Sequence, residues 1–209
     1  LLTSVHIHGV IIIDARGRRA AFGEPVDYMG TWKVPHPTGA FVQAHQRGNR
    51  LLVDRVLSAC REHRRVLEYY AGSGNFTIPL IERGHEVEAI EINPDAVRQL
   101  NDELKQRGWH TANRARAQSA NHVPSGTWDV VLLDPPRSGA RPIVDRLHTT
   151  GARRVIYVSC HPASFIRDVR ALVAHGWRMV SVEPFDLFPH TGHGEVLGVL
   201  DRLDISDKR

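Results

Sequence analysis

At 209 residues, with a formal net charge of +4 and 42% hydrophobic residues, the chain has the make-up of one globular domain plus a small appendage. Two cysteines, Cys60 and Cys160, give no disulfide framework and too few ligands for a zinc or iron–sulfur site, and no apolar run reaches the length that crosses a bilayer. The mildly basic balance suits a polyanionic partner without requiring one.

The first residues, Leu1-Leu2-Thr3-Ser4, have neither the basic leader nor the apolar segment of a secretory signal, and a reducing, cytoplasmic setting is expected. The absence of an initiating methionine leaves open that further sequence lies upstream. Val5 to Ile13, the turn-forming Asp14-Ala15-Arg16-Gly17 and Ala20-Ala21-Phe22 predict a small antiparallel unit. A proline-rich connector around Pro35-His36-Pro37 leads to an amphipathic helix from about Gln46 to His63, in which Cys60 reads as core filler.

From Arg65 onward, short β-like runs alternate with helix-like stretches. Val66 to Tyr70 predicts a strand that ends in Ala71-Gly72-Ser73-Gly74, and a helix is expected from Asn75 to Arg83. Val87 to Ile92 is a second strand, and Pro94 opens a helix that runs to about Gly108. Val130 to Leu133 and Val155 to Val158 are buried strands, the second followed by a helix from Ala163 to His175 that Gly176 stops. Met179 to Pro184 and Val196 to Leu203 close the chain. This alternation predicts an α/β fold, a doubly wound, Rossmann-like sheet covered on both faces, with an antiparallel hairpin of the last two strands at one edge.

In such a sheet, ligands bind where strands end at their carboxyl edge. Tyr70-Ala71-Gly72-Ser73-Gly74-Asn75 lies at such an edge, and its glycines let backbone approach a ligand closely. Glu91, at the end of the next strand, is spaced to meet a ribose hydroxyl pair. Together they point to an adenosine-containing cofactor, without settling which one. Asp134 is stiffened by Pro135 and Pro136. Cys160 ends a strand just before a helix, where a thiolate would be stabilised by the helix dipole, although buried cysteine is also a common filler. His190, His193 and Glu195 lie close in sequence, but no other ligand cluster supports a metal, and Glu195 as a general base is the sharper reading. Two basic groups, Lys105, Arg107, Arg114, Arg116 and Arg137, Arg141, Arg146, Arg153, Arg154, read equally as solvated faces or as an electrostatic footprint.

From about Gly39 to Arg202 these pieces resemble one family, the class I S-adenosylmethionine-dependent RNA uracil-C5 methyltransferases, which form 5-methyluridine in tRNA or rRNA. The resemblance is carried by Phe41-Val42-Gln43, by Leu67 to Phe76, and by Leu132-Leu133-Asp134-Pro135-Pro136-Arg137-Ser138-Gly139. It continues through Tyr157-Val158-Ser159-Cys160-His161-Pro162 with Arg167-Asp168, and through Asp186 to Glu195. It implies that Gln43, Tyr70, Gly72, Gly74, Asn75, Glu91 and Asp134 hold S-adenosyl-L-methionine, while the local match around Gln118 is too loose to assign that residue. It implies Cys160 as the nucleophile towards carbon 6 of uracil, Glu195 as the base and an RNA substrate; the short apolar runs and sparse ligands lead to neither membrane nor metal being expected as partner. It also divides the chain into residues 1–38, the remnant of a central domain, and 39–209, the methyltransferase domain. Ala71 replaces a common cysteine, and His45 and His161 stand where asparagine is common. A methyltransferase acting on an amine, and a non-catalytic RNA-binding relative, are the rival readings.

Overall fold

A computed structural model describes residues 46–186 and 194–203, and the backbone of four short segments before them, 9–13, 19–23, 27–29 and 34–36. Those segments are β1 (Gly9–Ile13) paired antiparallel with β2 (Arg19–Gly23), and β3 (Asp27–Met29) paired antiparallel with β4 (Val34–His36). The first pair matches the antiparallel unit expected there. The second sits in the stretch read as a connector, where too few residues alternate for a strand signal.

Next come α1 (Gln46–Cys60), β5 (Arg65–Tyr69), α2 (Thr77–Glu82), β6 (Glu86–Glu91), α3 (Pro94–Gln106) and β7 (Arg114–Ala117). The second half holds β8 (Val130–Leu133), α4 (Arg141–Val144), β9 (Arg154–Ser159), α5 (Pro162–Ala174), β10 (Trp177–Phe185) and β11 (Glu195–Arg202). The seven later strands form one sheet in the order β10-β11-β9-β8-β5-β6-β7. β7, β6, β5, β8 and β9 are parallel, and β11 runs against both β9 and β10. The terminal hairpin is present as expected, but its second strand is inserted inside the sheet, which leaves β10 at the edge.

The central strands are buried on both faces and alternate between two cores. Val66, Val130, Leu132, Ile156 and Val158 face α1, α2 and α3, where Leu52, Val56, Ile78, Leu80, Leu100 and Leu104 pack. Leu67, Tyr69, Val131, Leu133, Val155 and Tyr157 face α4 and α5 with Ile143, Phe165 and Leu172. Cys60 lies in the first core, fully buried, and burial pushes its thiol up to about 12, so it is inert filler as expected. The order in which strands are added reverses about β5: the sheet grows through β6 to β7 on one side and through β8 to β9 on the other. The crevice at this switch point lies between the carboxyl ends of β5 and β8, which carry Tyr70 and Asp134.

Candidate active site

Strand register gathers the candidate side chains. β5 and β8 are paired in parallel through Tyr69 and Leu133, and β5 and β6 through Tyr69 and Ile90, so Tyr70, Glu91 and Asp134 leave the sheet at neighbouring positions of one edge. Cys160 leaves β9 at the same edge. β11 comes back antiparallel to β9 with Val196 opposite Ser159, and the next step of that register sets Glu195 opposite Cys160. Two residues 35 positions apart in sequence thus meet because one strand runs against the rest.

The glycine loop is folded tightly on the end of β6. Tyr70 adopts a left-handed φ of 63°, and its N–H and that of Ala71 donate to the Ile90 carbonyl at 2.8 and 3.2 Å. Glu91 closes the other side, accepting from the Gly72 N–H at 2.8 Å and the Asn93 N–H at 2.9 Å. Each carboxylate oxygen keeps further acceptor capacity for a ligand hydroxyl. The two glycines serve different ends. A Cβ on Gly74 would stand 2.7 Å from Leu100 Cδ1, so α3 packs against bare backbone there. A Cβ on Gly72 would meet nothing within 4 Å, so this glycine faces open space.

Beside the loop lies a cavity of about 320 Å³ lined by Tyr70, Ile90, Ile92, Gln118, Pro136, Ser138, Gly139 and Pro142 among others. Its mostly apolar walls and its place next to Glu91 fit a flat heterocycle attached to a ribose. Ile92, 74% exposed, is an apolar side chain held out at the rim. Gln118 lines the cavity, and its backbone N–H is fixed by the Glu91 carbonyl at 2.9 Å. Asn75 is engaged with the protein itself: Asn49 Nδ2 donates to its Oδ1 at 2.9 Å, and its own Nδ2 donates back to Asn49 Oδ1 at 3.1 Å. The amide pair ties α1 to the end of the glycine loop.

Electrostatics at Cys160 differ from the sequence-level expectation. The half-buried thiol is pushed above the ordinary cysteine value by desolvation first, then by the charges of Glu195 and Asp134. Its own backbone N–H and the Arg137 guanidinium pull the other way without reversing this. α5 does begin at Pro162, but its first turn is already capped, because His161 Nδ1 accepts from the Ser164 N–H at 3.3 Å. Burial, reinforced by two nearby carboxylates, sets the direction at this thiol. Asp134 itself is raised to about 8, by desolvation and then by Glu195.

Gln43 lies outside the described residues, as do His190 and His193. Among the described residues, no group of three or more His, Cys, Asp or Glu is arranged to hold a metal, and no helix is long and apolar enough to cross a membrane. The first basic group is largely neutralised: Arg107 pairs with Glu82 and Glu103, and Arg114 and Arg116 both pair with Glu88. In the second, Arg141 pairs with Asp145 and Arg154 with Asp201. Glu68 and Asp168 were named only as parts of the motifs that carry the resemblance and given no role of their own; both are fully buried carboxylates close to the loops just described. Glu68, on β5, accepts from Thr77 Oγ1 at 2.6 Å, and desolvation raises it to about 8. An acidic residue inside an apolar strand was its only signal.

A seven-stranded sheet of this order, with a reversed strand beside its edge and a ligand crevice at its switch point, is the fold of the class I methyltransferases. The family described as tRNA (Uracil-5-)-methyltransferase matches residues 122–203, and one described as Conserved hypothetical protein 95 matches residues 53–157. The 23S rRNA (uracil(1939)-C(5))-methyltransferase RlmD of Alkalilimnicola ehrlichii is 34% identical over 200 residues, which are 92% of this chain and 44% of that protein. Its namesake in Pseudomonas entomophila is 32% identical over 196 residues, 90% of this chain and 42% of the relative. The crystal structure of Pyrococcus abyssi tRNA (uracil-54, C5)-methyltransferase in complex with S-adenosyl-L-homocysteine superposes with a TM-score of 0.80 at 25% identity, over 94% of this chain and 51% of that one. The chain belongs to the RNA uracil-C5 methyltransferase family. It spans less than half the length of these RlmD relatives.

Proposed function

We propose that this chain transfers a methyl group from S-adenosyl-L-methionine to carbon 5 of a uridine in tRNA or rRNA, through a covalent adduct between Cys160 and carbon 6. The observation that carries the reading is the β9–β11 register, which sets Glu195 opposite Cys160 at the edge that also bears Glu91 and the glycine loop. The complex of the Pyrococcus abyssi relative with S-adenosyl-L-homocysteine supports the choice of cofactor. In this reading residues 39–209 form the methyltransferase domain and residues 1–38 an appendage to it.

Glu91 would bind the ribose hydroxyls, the cavity by Ile90, Ile92 and Gln118 the adenine, and Tyr70, Gly72 and Asp134 the remainder, with Gln43 and Asn75 in supporting contacts. Bound, the cofactor supplies an electrophilic methyl on a sulfonium whose positive charge offsets the carboxylates that keep the thiol protonated. Carbon 5 of uracil is a weak nucleophile. Addition of the Cys160 thiolate to carbon 6 breaks the 5,6 double bond and places enolate density on carbon 5, which would take the methyl as its bond to sulfur breaks and S-adenosyl-L-homocysteine leaves. The methylated carbon still carries its original hydrogen. Glu195 takes that proton, the 5,6 double bond re-forms, and the bond from sulfur to carbon 6 breaks to return the thiolate. Glu195 is 2% exposed, which keeps bulk water from competing for this role. A stacked uracil offers the thiol no path to carbon 6, so the target base must leave the stack.

Incubation of the protein with unmodified RNA and methyl-labelled cofactor, followed by nucleoside analysis, tests this reading. Label in 5-methyluridine is expected. Label in an N-methylated base, or none in any nucleoside while RNA is bound, overturns it.

A further inference from the structure

We infer that Asp168 is a positioning residue that sets one wall of the cofactor cavity, by tethering the loop after Asp134 to the helix that follows Cys160. The inference rests on the cofactor reading of the cavity above.

Asp168 is 0% exposed, an unusual place for a carboxylate on the second turn of a helix. Its two oxygens are divided between two tasks. Oδ2 accepts from the Ala140 N–H at 2.7 Å and from Tyr157 Oη at 2.8 Å. Oδ1 accepts from Arg167 Nε at 2.8 Å, and the same guanidinium donates from Nη2 to the Ser138 carbonyl at 2.8 Å. The loop from Asp134 to Ala140 is therefore held at its start by β8 and at its end by this carboxylate. Between these points the Gly139 N–H donates to the Pro136 carbonyl at 2.8 Å, which makes the loop a closed turn. A Cβ on Gly139 would collide with both Arg167 and Asp168, so glycine is what lets the tether form.

The tethered residues are the ones that face the ligand space. Pro136, Ser138 and Gly139 line the cavity together with Ile92 and Gln118. Tyr157 lies on β9 three residues before Cys160, and its ring meets Phe165 of α5 edge-on, with centroids 5.5 Å apart. One buried charge thus fixes the cavity wall, the strand that carries the nucleophile and the helix behind it in a single frame. Charge-assisted hydrogen bonds inside a core are geometrically exacting, and losing one partner leaves the others misplaced.

The experiment compares the wild-type protein with Asp168→Asn by calorimetric titration with S-adenosyl-L-homocysteine and by methyl-transfer kinetics. Asparagine keeps an acceptor for Ala140 and Tyr157 but no longer neutralises Arg167, which releases Ser138. The expected result is roughly tenfold weaker binding of S-adenosyl-L-homocysteine, a matching rise in the cofactor KM, and kcat within about threefold of wild type. A merely structural role would lower the melting temperature and the active fraction without moving KM. Should Asp168→Asn fail to fold, Tyr157→Phe removes one donor and leaves the carboxylate, and a smaller rise in the same KM is expected. Unchanged affinity and KM in the variant that folds, with wild-type binding intact, overturns the inference alone. A wild-type protein that does not bind S-adenosyl-L-homocysteine overturns the cofactor reading and this inference with it.

Discussion

Cys160 was legible in the sequence as a strand-end thiol, whereas its electrostatic setting was not. The helix after it suggested a stabilised thiolate, but Glu195 and Asp134 come from two other strands and act in the opposite sense. Nearby negative charge penalises the thiolate, so removing a carboxylate should lower the thiol pKa. Glu195→Gln is expected to speed iodoacetamide alkylation of Cys160 several-fold at neutral pH, and Asp134→Asn to do so only above about pH 8, where the Asp134 carboxyl is ionised, both measured by peptide mass spectrometry as a function of pH. Cys60, buried and far less acidic, should stay unlabelled in the folded protein. Glu68 gives a second test at this scale. Its carboxyl is raised in the fold from 4.5 to about 8, so ionisation is disfavoured there relative to the unfolded chain. The fold should lose stability as pH rises from about 4.5 to about 8. Glu68→Gln removes the penalty while leaving an acceptor for Thr77, and should raise the melting temperature by roughly 3–8 °C at pH 8 with little effect at pH 4. Such a residue is hard to find by pattern, because its neighbours Val66, Leu67 and Tyr69 already announce a buried strand.

At the scale of elements, the long periodic segments were readable and the short ones were not. α3 was placed by Pro94, and the structure adds that Asn93 caps it, with Oδ1 accepting from the Asp95 and Ala96 N–H groups. β7 escaped because Arg-Ala-Arg-Ala lacks the apolar content of a strand, and its arginines are fixed by Glu88 on β6, a partner 26 and 28 positions away. α4 escaped because four residues cannot show a period. His161 looked like a departure from the usual asparagine, yet it fills the cap position of α5 through its ring nitrogen. The glycine loop separates packing from binding. Gly74→Ala adds a Cβ against Leu100 at a φ of +97°, and should cost about 2–4 kcal/mol in denaturant unfolding. Gly72→Ala meets only backbone strain at a φ of +54°, so it should cost about 1 kcal/mol while weakening binding of S-adenosyl-L-homocysteine far more than the Gly74 variant does per unit of lost stability.

For the molecule as a whole, the alternating pattern from Arg65 onward was enough to predict a doubly wound sheet with a terminal hairpin. It did not show that β11 would insert beside β9 with β10 outside it, because strand order depends on long-range pairing that no local period encodes. That insertion is what brings Glu195 to Cys160, a neighbourhood that the motifs named residue by residue but whose geometry no local pattern encodes. The chain accounts for less than half of its RlmD relatives in length. The covalent step proposed at Cys160 is tested directly by RNA carrying 5-fluorouridine, since fluorine at carbon 5 cannot leave as a proton. Incubation with S-adenosyl-L-methionine followed by denaturing mass spectrometry should show a protein–RNA adduct whose tryptic mass maps to Cys160 and which is lost in Cys160→Ala. An enzyme that methylates ordinary uridine yet leaves no adduct at Cys160 with the fluorinated RNA would contradict the account.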